Sequence, residues 1–193
     1  YAVNRKPYIV GIGGTSRPNS SSELALRQVL QDLEGMGAQV ELFTGHALSK
    51  LPIYGDEVDA HDDLRESFIK ALREADGVVI SSPCYHGGVS GLIKNALDYV
   101  EDMRNDPRVY LDGRVVGVIA CAYGNQGVGT VLNQLRQIVH ALRGWPTPIG
   151  VGINSLEVRF TGDECSDESI RKQIKLMAKQ LVQFVPRMTE ATA

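Results

Sequence analysis

Cysteine is scarce in this chain of 193 residues. Cys84, Cys121 and Cys165 are the three, and no two stand as C-x-x-C. That excludes zinc knuckles, thioredoxin-type dithiols and iron–sulfur patterns, and an odd count fits a reducing compartment. Long apolar runs are missing too: none nears the roughly 20 residues that cross a bilayer. A basic excess is missing, since the formal net charge is −3, whereas nucleic-acid binders carry basic faces. No G-x-S-x-G elbow, G-K-[ST] loop or H-E-x-x-H pair occurs, so the usual nucleophile, triphosphate and zinc motifs are out. The four histidines, His46, His61, His86 and His140, fit no metal motif. Residues 1–6 hold no apolar signal core, which makes the cytoplasm the expected location. No linker, repeat or low-complexity stretch divides the chain, so one domain over residues 1–193 is expected.

What is present is an alternation. Apolar runs at Tyr8–Ile12, Gln39–Phe43, Gly77–Ser81, Val115–Cys121 and Ile149–Val151 read as strands. Four are continuous, as in strands buried on both faces; residues 39–43 alternate, as in an edge strand. Apolar residues at helical spacing mark helices over 21–35, 61–74, 90–101, 129–143 and 167–185, with Pro186 expected to end or kink the last. Ser20 and Glu23 form a capping-box pattern. The acidic pairs Asp62-Asp63 and Glu101-Asp102 read as solvated helix ends. Long links at 44–60 and 102–114 suit functional or interfacial segments. Strands alternating with helices imply βαβ units and an α/β, three-layer, doubly wound fold. Its five-stranded parallel sheet would have the flavodoxin-like order 2-1-3-4-5, with ligands at the carboxyl ends of the strands.

Three loops follow strand ends on that rim. The first is Gly14-Thr15-Ser16-Arg17-Pro18-Asn19-Ser20-Ser21-Ser22. Hydroxyls, free N–H groups and one guanidinium at a helix start suit a phosphate. Two other readings compete: Ser20 and Ser22 as plain helix caps, or Gly11, Gly13 and Ser16 as a Rossmann fingerprint lacking its third glycine. The second loop is Pro83-Cys84-Tyr85-His86-Gly87-Gly88, with Ser90 as N-cap of the next helix. Its backbone amides could meet the polar edge of a flavin ring, and Gly87 and Gly88 would let the backbone approach closely. His86 as an exposed loop histidine, Tyr85 as an aromatic packed over the sheet end and Cys84 as a packing residue stay open. Cys121 reads as a small buried residue. The third loop is Tyr123-Gly124-Asn125-Gln126-Gly127. With no protein nucleophile in view, the redox work would fall to a bound cofactor.

These residues resemble the NAD(P)H-dependent FMN reductase family of flavodoxin-like flavoproteins. Residues 14–22 are similar to its G-S-x-R-x-x-S-x-N phosphate motif, with Thr15 for Ser and Ser22 for Asn. Residues 82–98, Ser82-Pro83-Cys84-Tyr85 through Ser90-Gly91-Leu92-Ile93-Lys94-Asn95-Ala96-Leu97-Asp98, are similar to its S-P-x-Y-x-x-x-x-S-G-x-L-K-N-A-L-D signature. The resemblance spans residues 8–155. It implies an enzyme that binds FMN and takes electrons from NADPH or NADH. Thr15, Ser16, Arg17, Ser20, Ser21 and Ser22 would hold the phosphate. Pro83, Cys84, Tyr85, His86, Gly87, Tyr123, Gly124 and Gly127 would meet the ring. It implies a homodimer or homotetramer, with residues 98–112 reaching a neighbouring subunit. Implied acceptors are free flavin passed to a flavin-dependent monooxygenase, a quinone, an azo compound or a metal ion. The alternative is a flavodoxin-like electron carrier that binds FMN without turning over NAD(P)H.

Overall fold

In a computed structural model, the chain is described over residues 5–55, 63–162 and 164–190. The first strand, β1 (Tyr8–Gly13), is buried along its whole length. It leads to α1 (Ser21–Gly35), β2 (Gln39–Thr44), the short α2 (Gly45–Leu48) and α3 (Asp63–Glu74). Next come β3 (Gly77–Tyr85), the two-residue β4 (Gly88–Val89) and α4 (Gly91–Asp98), which tightens into a 3-10 turn at Tyr99–Met103. Then follow β5 (Val115–Ala122), α5 (Asn125–Ala141), β6 (Trp145–Pro146), β7 (Val151–Asn154), the hairpin β8 (Phe160–Thr161) and β9 (Glu164–Cys165), and α6 (Glu168–Glu190).

The main sheet runs β2-β1-β3-β5, with β6 and β7 both pairing parallel to β5 on the outer side. This is the expected doubly wound order, with β6 and β7 together filling the fifth place. β2 is the outer strand and alternates in burial, while β5 is buried throughout. One core lies between the sheet and α3, α4 and α5, with Phe68, Leu72, Ile93, Val131 and Leu135 fully buried. A second lies between the opposite face and α1 and α6, with Leu26, Leu33, Ile174, Met177 and Leu181 fully buried. Each such side chain contributes about 1.5–3 kcal/mol relative to exposure.

Four expectations are corrected. The fifth strand lies not at Ile149–Val151 but at Val151–Asn154, with a separate piece at Trp145–Pro146. Pro146 and Pro148 cannot donate to a ladder and interrupt the pairing. α5 begins at Asn125 rather than 129, because Gly127 and Gly129 are absorbed into its first turns. α6 continues past Pro186 to Glu190; a proline removes one helical bond, and the turns on either side persist. Asp102 is no freely solvated helix end, since Arg65 Nε donates to its Oδ2 at 2.8 Å. Residues 56–60 of the long link, with His61 and Asp62 at the expected helix start, lie outside the described residues.

The link over 102–114 is held from below. Arg114, 1% exposed, donates to the carbonyls of Tyr110 (3.0 Å), Asp112 (3.4 Å) and Arg73 (2.8 Å). Burial pulls its guanidinium down to about 10, so it stays charged at neutral pH.

Candidate functional site

The three loops open on one rim because β1, β3 and β5 run parallel in register. Gly13 pairs Ser81, and Pro83 pairs Cys121. Their carboxyl ends enclose a cavity of about 370 Å³, within the range of small-molecule sites. Its lining includes Thr15, Arg17, Ser20, Ser21, Ser22, Pro83, Cys84, Tyr85 and Tyr123, nine of the residues singled out in the sequence. Pro18, Asn19, Cys121, Ala122 and Ser155 complete it.

The first loop is stiffened by its own side chains. Thr15 Oγ1 donates to the Arg17 carbonyl at 3.0 Å and accepts the Arg17 N–H at 3.2 Å. Ser20 caps α1, its Oγ accepting the Glu23 N–H at 3.3 Å and lying 3.2 Å from Ser22 Oγ. The reverse half of the expected capping box is not made. Glu23 is 2% exposed, and its Oε1 takes Arg27 Nη2 at 2.7 Å and Nε at 3.0 Å. This pair neutralises a carboxylate beneath a loop suited to anions. The N–H groups of Ser21 and Ser22, at the first two helical positions, have no intrahelical acceptor by helix geometry. They sit at the positive end of the α1 dipole beside Arg17. The Ser16 carbonyl lies 3.2 Å from His46 Nδ1, on α2, and Ser16 is outside the cavity lining.

The second loop is a two-residue hairpin. Tyr85 pairs Gly88 across the turn, and both central residues have positive φ, His86 at 51° and Gly87 at 81°. That is the signature of a type I′ turn. The rationale for Gly87 changes accordingly. A Cβ there would meet nothing within 4 Å, so its backbone conformation, not close approach, calls for glycine. His86 and Gly87 form the turn and do not line the cavity. The hairpin is clamped from α5: Gln134 Oε1 accepts the Val89 N–H at 2.9 Å, and Nε2 donates to the Gly87 carbonyl at 3.1 Å. Beneath it, Ser82 Oγ accepts the Ser90 N–H at 3.1 Å, and Ser90 caps α4 at Ile93 N.

In the third segment Tyr123 stands 82% exposed at the cavity mouth, with Tyr85 52% exposed. Gly124 is the N-cap of α5, its N–H bound to Asn154 Oδ1 at 3.0 Å. Gly127 lies inside α5, where a Cβ would come within 2.9 Å of Cys84 Sγ. It is therefore a contact point between helix and hairpin strand, away from the cavity lining. Cys121 forms part of the cavity floor, and burial, followed by nearby Cys165, pushes its thiol up to about 12. It is an inert neutral wall at physiological pH.

Ser155 and Asn154 were missed in the sequence because the fifth strand was placed three residues early. With its end at Asn154, both fall on the carboxyl rim. A larger groove, about 780 Å³, lies at the opposite rim near Arg5, Tyr8, Glu41 and Lys70. There the polar groups answer one another: the Tyr8 hydroxyl donates to Glu41, and Asp76 takes Arg5 at 2.5 Å and the Tyr8 N–H at 2.8 Å.

The donor set at the carboxyl rim fits a flat ring ending in a phosphate. Comparison with known proteins agrees. An FMN-dependent NADPH-azoreductase of Staphylococcus saprophyticus is 30% identical over 178 residues, covering 86% of this chain and 88% of that protein. An NAD(P)H-dependent FMN reductase of Pseudomonas aeruginosa is 24% identical over 177 residues, covering 91% and 89%. Among solved structures, the flavoenzyme NAD(P)H:(acceptor) oxidoreductase of Paracoccus denitrificans superposes with a TM-score of 0.71 at 22% identity, covering 95% and 98%, a likeness of fold. The profile of NADPH-dependent FMN reductases matches residues 7–155. The chain belongs to the NADPH-dependent FMN reductase family, and the activity that goes with membership is reduction of FMN at the expense of NAD(P)H.

Proposed function

We propose that the cavity holds FMN with its phosphate on Thr15, Arg17, Ser20, Ser21 and Ser22, while Ser16 braces the loop through its carbonyl at His46. The ring then lies against Pro83, Cys84 and Tyr85 on one side and Tyr123 on the other, with His86 and Gly87 turning the hairpin that carries Tyr85 and Gly124 anchoring the loop that carries Tyr123. Gly127 serves by letting α5 approach Cys84. The observation that carries this reading is a single cavity lined by both Ser20 and Tyr85. The chemistry that FMN supplies when bound is acceptance of a hydride from NAD(P)H at N5, then delivery of electrons to an acceptor.

The protein's share is positioning. Arg17 and the first N–H groups of α1 neutralise the phosphate and fix the ligand's depth. Pro18 limits the freedom the loop loses on capture. Tyr85 and Tyr123 flank the mouth and shield the ring from water. No side chain of the site is required to move a proton, which fits the lining, where no acid–base pair stands among the described residues. The acceptor is an azo compound, a quinone, a metal ion or free flavin destined for a monooxygenase; the name of the staphylococcal relative favours the first.

The working form is a homodimer or a pair of dimers. An apolar groove beside the hairpin, lined by Val89, Ile138 and Ala141, supports a partner subunit there, with residues 98–112 as a second contact. The cytoplasm suits three free thiols. Among the described residues no helix is long and apolar enough to cross a membrane.

The test is to mix the purified chain with FMN and NADPH in air and follow NADPH absorbance. Steady consumption supports the reductase. FMN binding without consumption identifies an electron carrier, and failure to bind FMN removes the site.

A further inference from the structure

Asn154 is the last residue of β7 and lies directly across from Ala122, the last residue of β5. It is 8% exposed. Its Oδ1 accepts two backbone N–H groups from two separate loops, Gly124 at 3.0 Å and Leu156 at 3.1 Å. A carboxamide oxygen has two lone pairs, so one atom serves both. Each loop contributes to the cavity through the residue next to the bond, Tyr123 in one and Ser155 in the other.

Gly124 needs this support. Its backbone sits at φ 121°, ψ 149°, and α5 receives no side-chain cap from it. The Gly124 N–H belongs to the peptide that joins Tyr123 to Gly124, so the Asn154 bond fixes that peptide from outside the loop.

We propose that Asn154 is a positioning residue for the flavin ring, fixing Tyr123 and Ser155 as one rigid wall of the site. The proposal rests on the flavin reading above. It acts on the ring side and not on the phosphate loop, which is held by its own side chains, Ser81 and His46. Loss of the bond therefore weakens FMN and riboflavin alike, unlike loss of a phosphate contact.

The experiment compares the full chain with Asn154→Leu and Asn154→Asp. Affinities for FMN and for riboflavin are measured by flavin fluorescence, alongside Tm without ligand. Asn154→Leu loses on the order of tenfold for both flavins, the effect of unpaired N–H groups in a shielded site. Asn154→Asp, whose carboxylate accepts the same two bonds, stays within about threefold. A lower Tm in Asn154→Leu with both affinities unchanged assigns a merely structural role and overturns the proposal. A loss confined to FMN overturns it too. If Asn154→Leu does not fold, hydrogen exchange on the wild-type chain decides: FMN slows exchange at Gly124 and Leu156 together, and an unchanged rate at either sinks the idea. A wild-type chain that binds neither flavin overturns the flavin reading itself, a result distinct from all of these.

Discussion

Residues 14–22 and residues 83–89 both follow a buried strand, and both reach the same cavity, but they are held by different means. The side-chain bonds inside the first loop run between near neighbours, Thr15 to Arg17, Ser20 to Ser22 and Ser20 to Glu23, while distant groups reach only its ends, through Ser81, and Ser16, through His46. The second is tied by an amide 45 and 47 residues away, Gln134 on α5. The inner turn of the first loop is set by bonds that travel with it. The hairpin keeps its shape only while α5 stays docked. The difference suits the work of each side. A phosphate needs fixed donors at a fixed depth, whereas a ring edge must be matched by elements assembled from several crossovers.

The largest expected effect comes from removing charge at the local end. Arg17→Ala should weaken FMN by roughly 10–100-fold, the worth of a charge-assisted bond, and leave riboflavin nearly untouched. Equal losses in a fluorescence titration would erase the division between phosphate end and ring end. Next is Gly87→Val. A branched side chain at φ 81° costs about 2 kcal/mol of turn strain, so thermal stability falls and both flavins weaken together. An FMN-selective loss would place the hairpin at the wrong end of the ligand.

A smaller effect tests the clamp itself. Gln134→Ala should destabilise the fold by about 1 kcal/mol and speed hydrogen exchange at Val89, leaving exchange at Glu23 as before. Faster exchange at both sites would mean that the two loops share one support. The smallest concerns the link between them. Ser81 Oγ donates to the Ser22 carbonyl at 2.7 Å, and the Ser81 carbonyl accepts the Gly14 N–H at 3.3 Å. Ser81→Ala removes only the first, so denaturant unfolding should report a loss of about 0.5–1 kcal/mol. A much larger loss would show the phosphate loop to be as dependent on distant groups as the hairpin.

The same contrast explains what could be read from the chain beforehand. Continuous apolar strands such as 115–121 and the alternating edge strand 39–43 stand in the structure as their patterns imply, since burial on two faces or one follows from sheet position. The hydroxyl loop before α1 was legible because capping and turn bonds span two or three residues. Strand 151–154 was misplaced because its run is short and the flanking prolines blur its start. That error hid Asn154 and Ser155. The spacing of Ser20 and Glu23 fits a capping box, but Arg27, one helical turn on, competes for the Glu23 carboxylate and holds it.

Apolar periodicity and loop chemistry thus determined, without coordinates, that parallel strands alternate with helices and that a hydroxyl-rich loop opens at the end of the first. Both follow from forces acting within a few residues, where spacing alone sets geometry. Tertiary structure decided which distant side chains brace the other two loops: Gln134 under the hairpin and Asn154 between Gly124 and Leu156. Their reach depends on strand register and on how each crossover helix docks, and no pattern within a single segment encodes either.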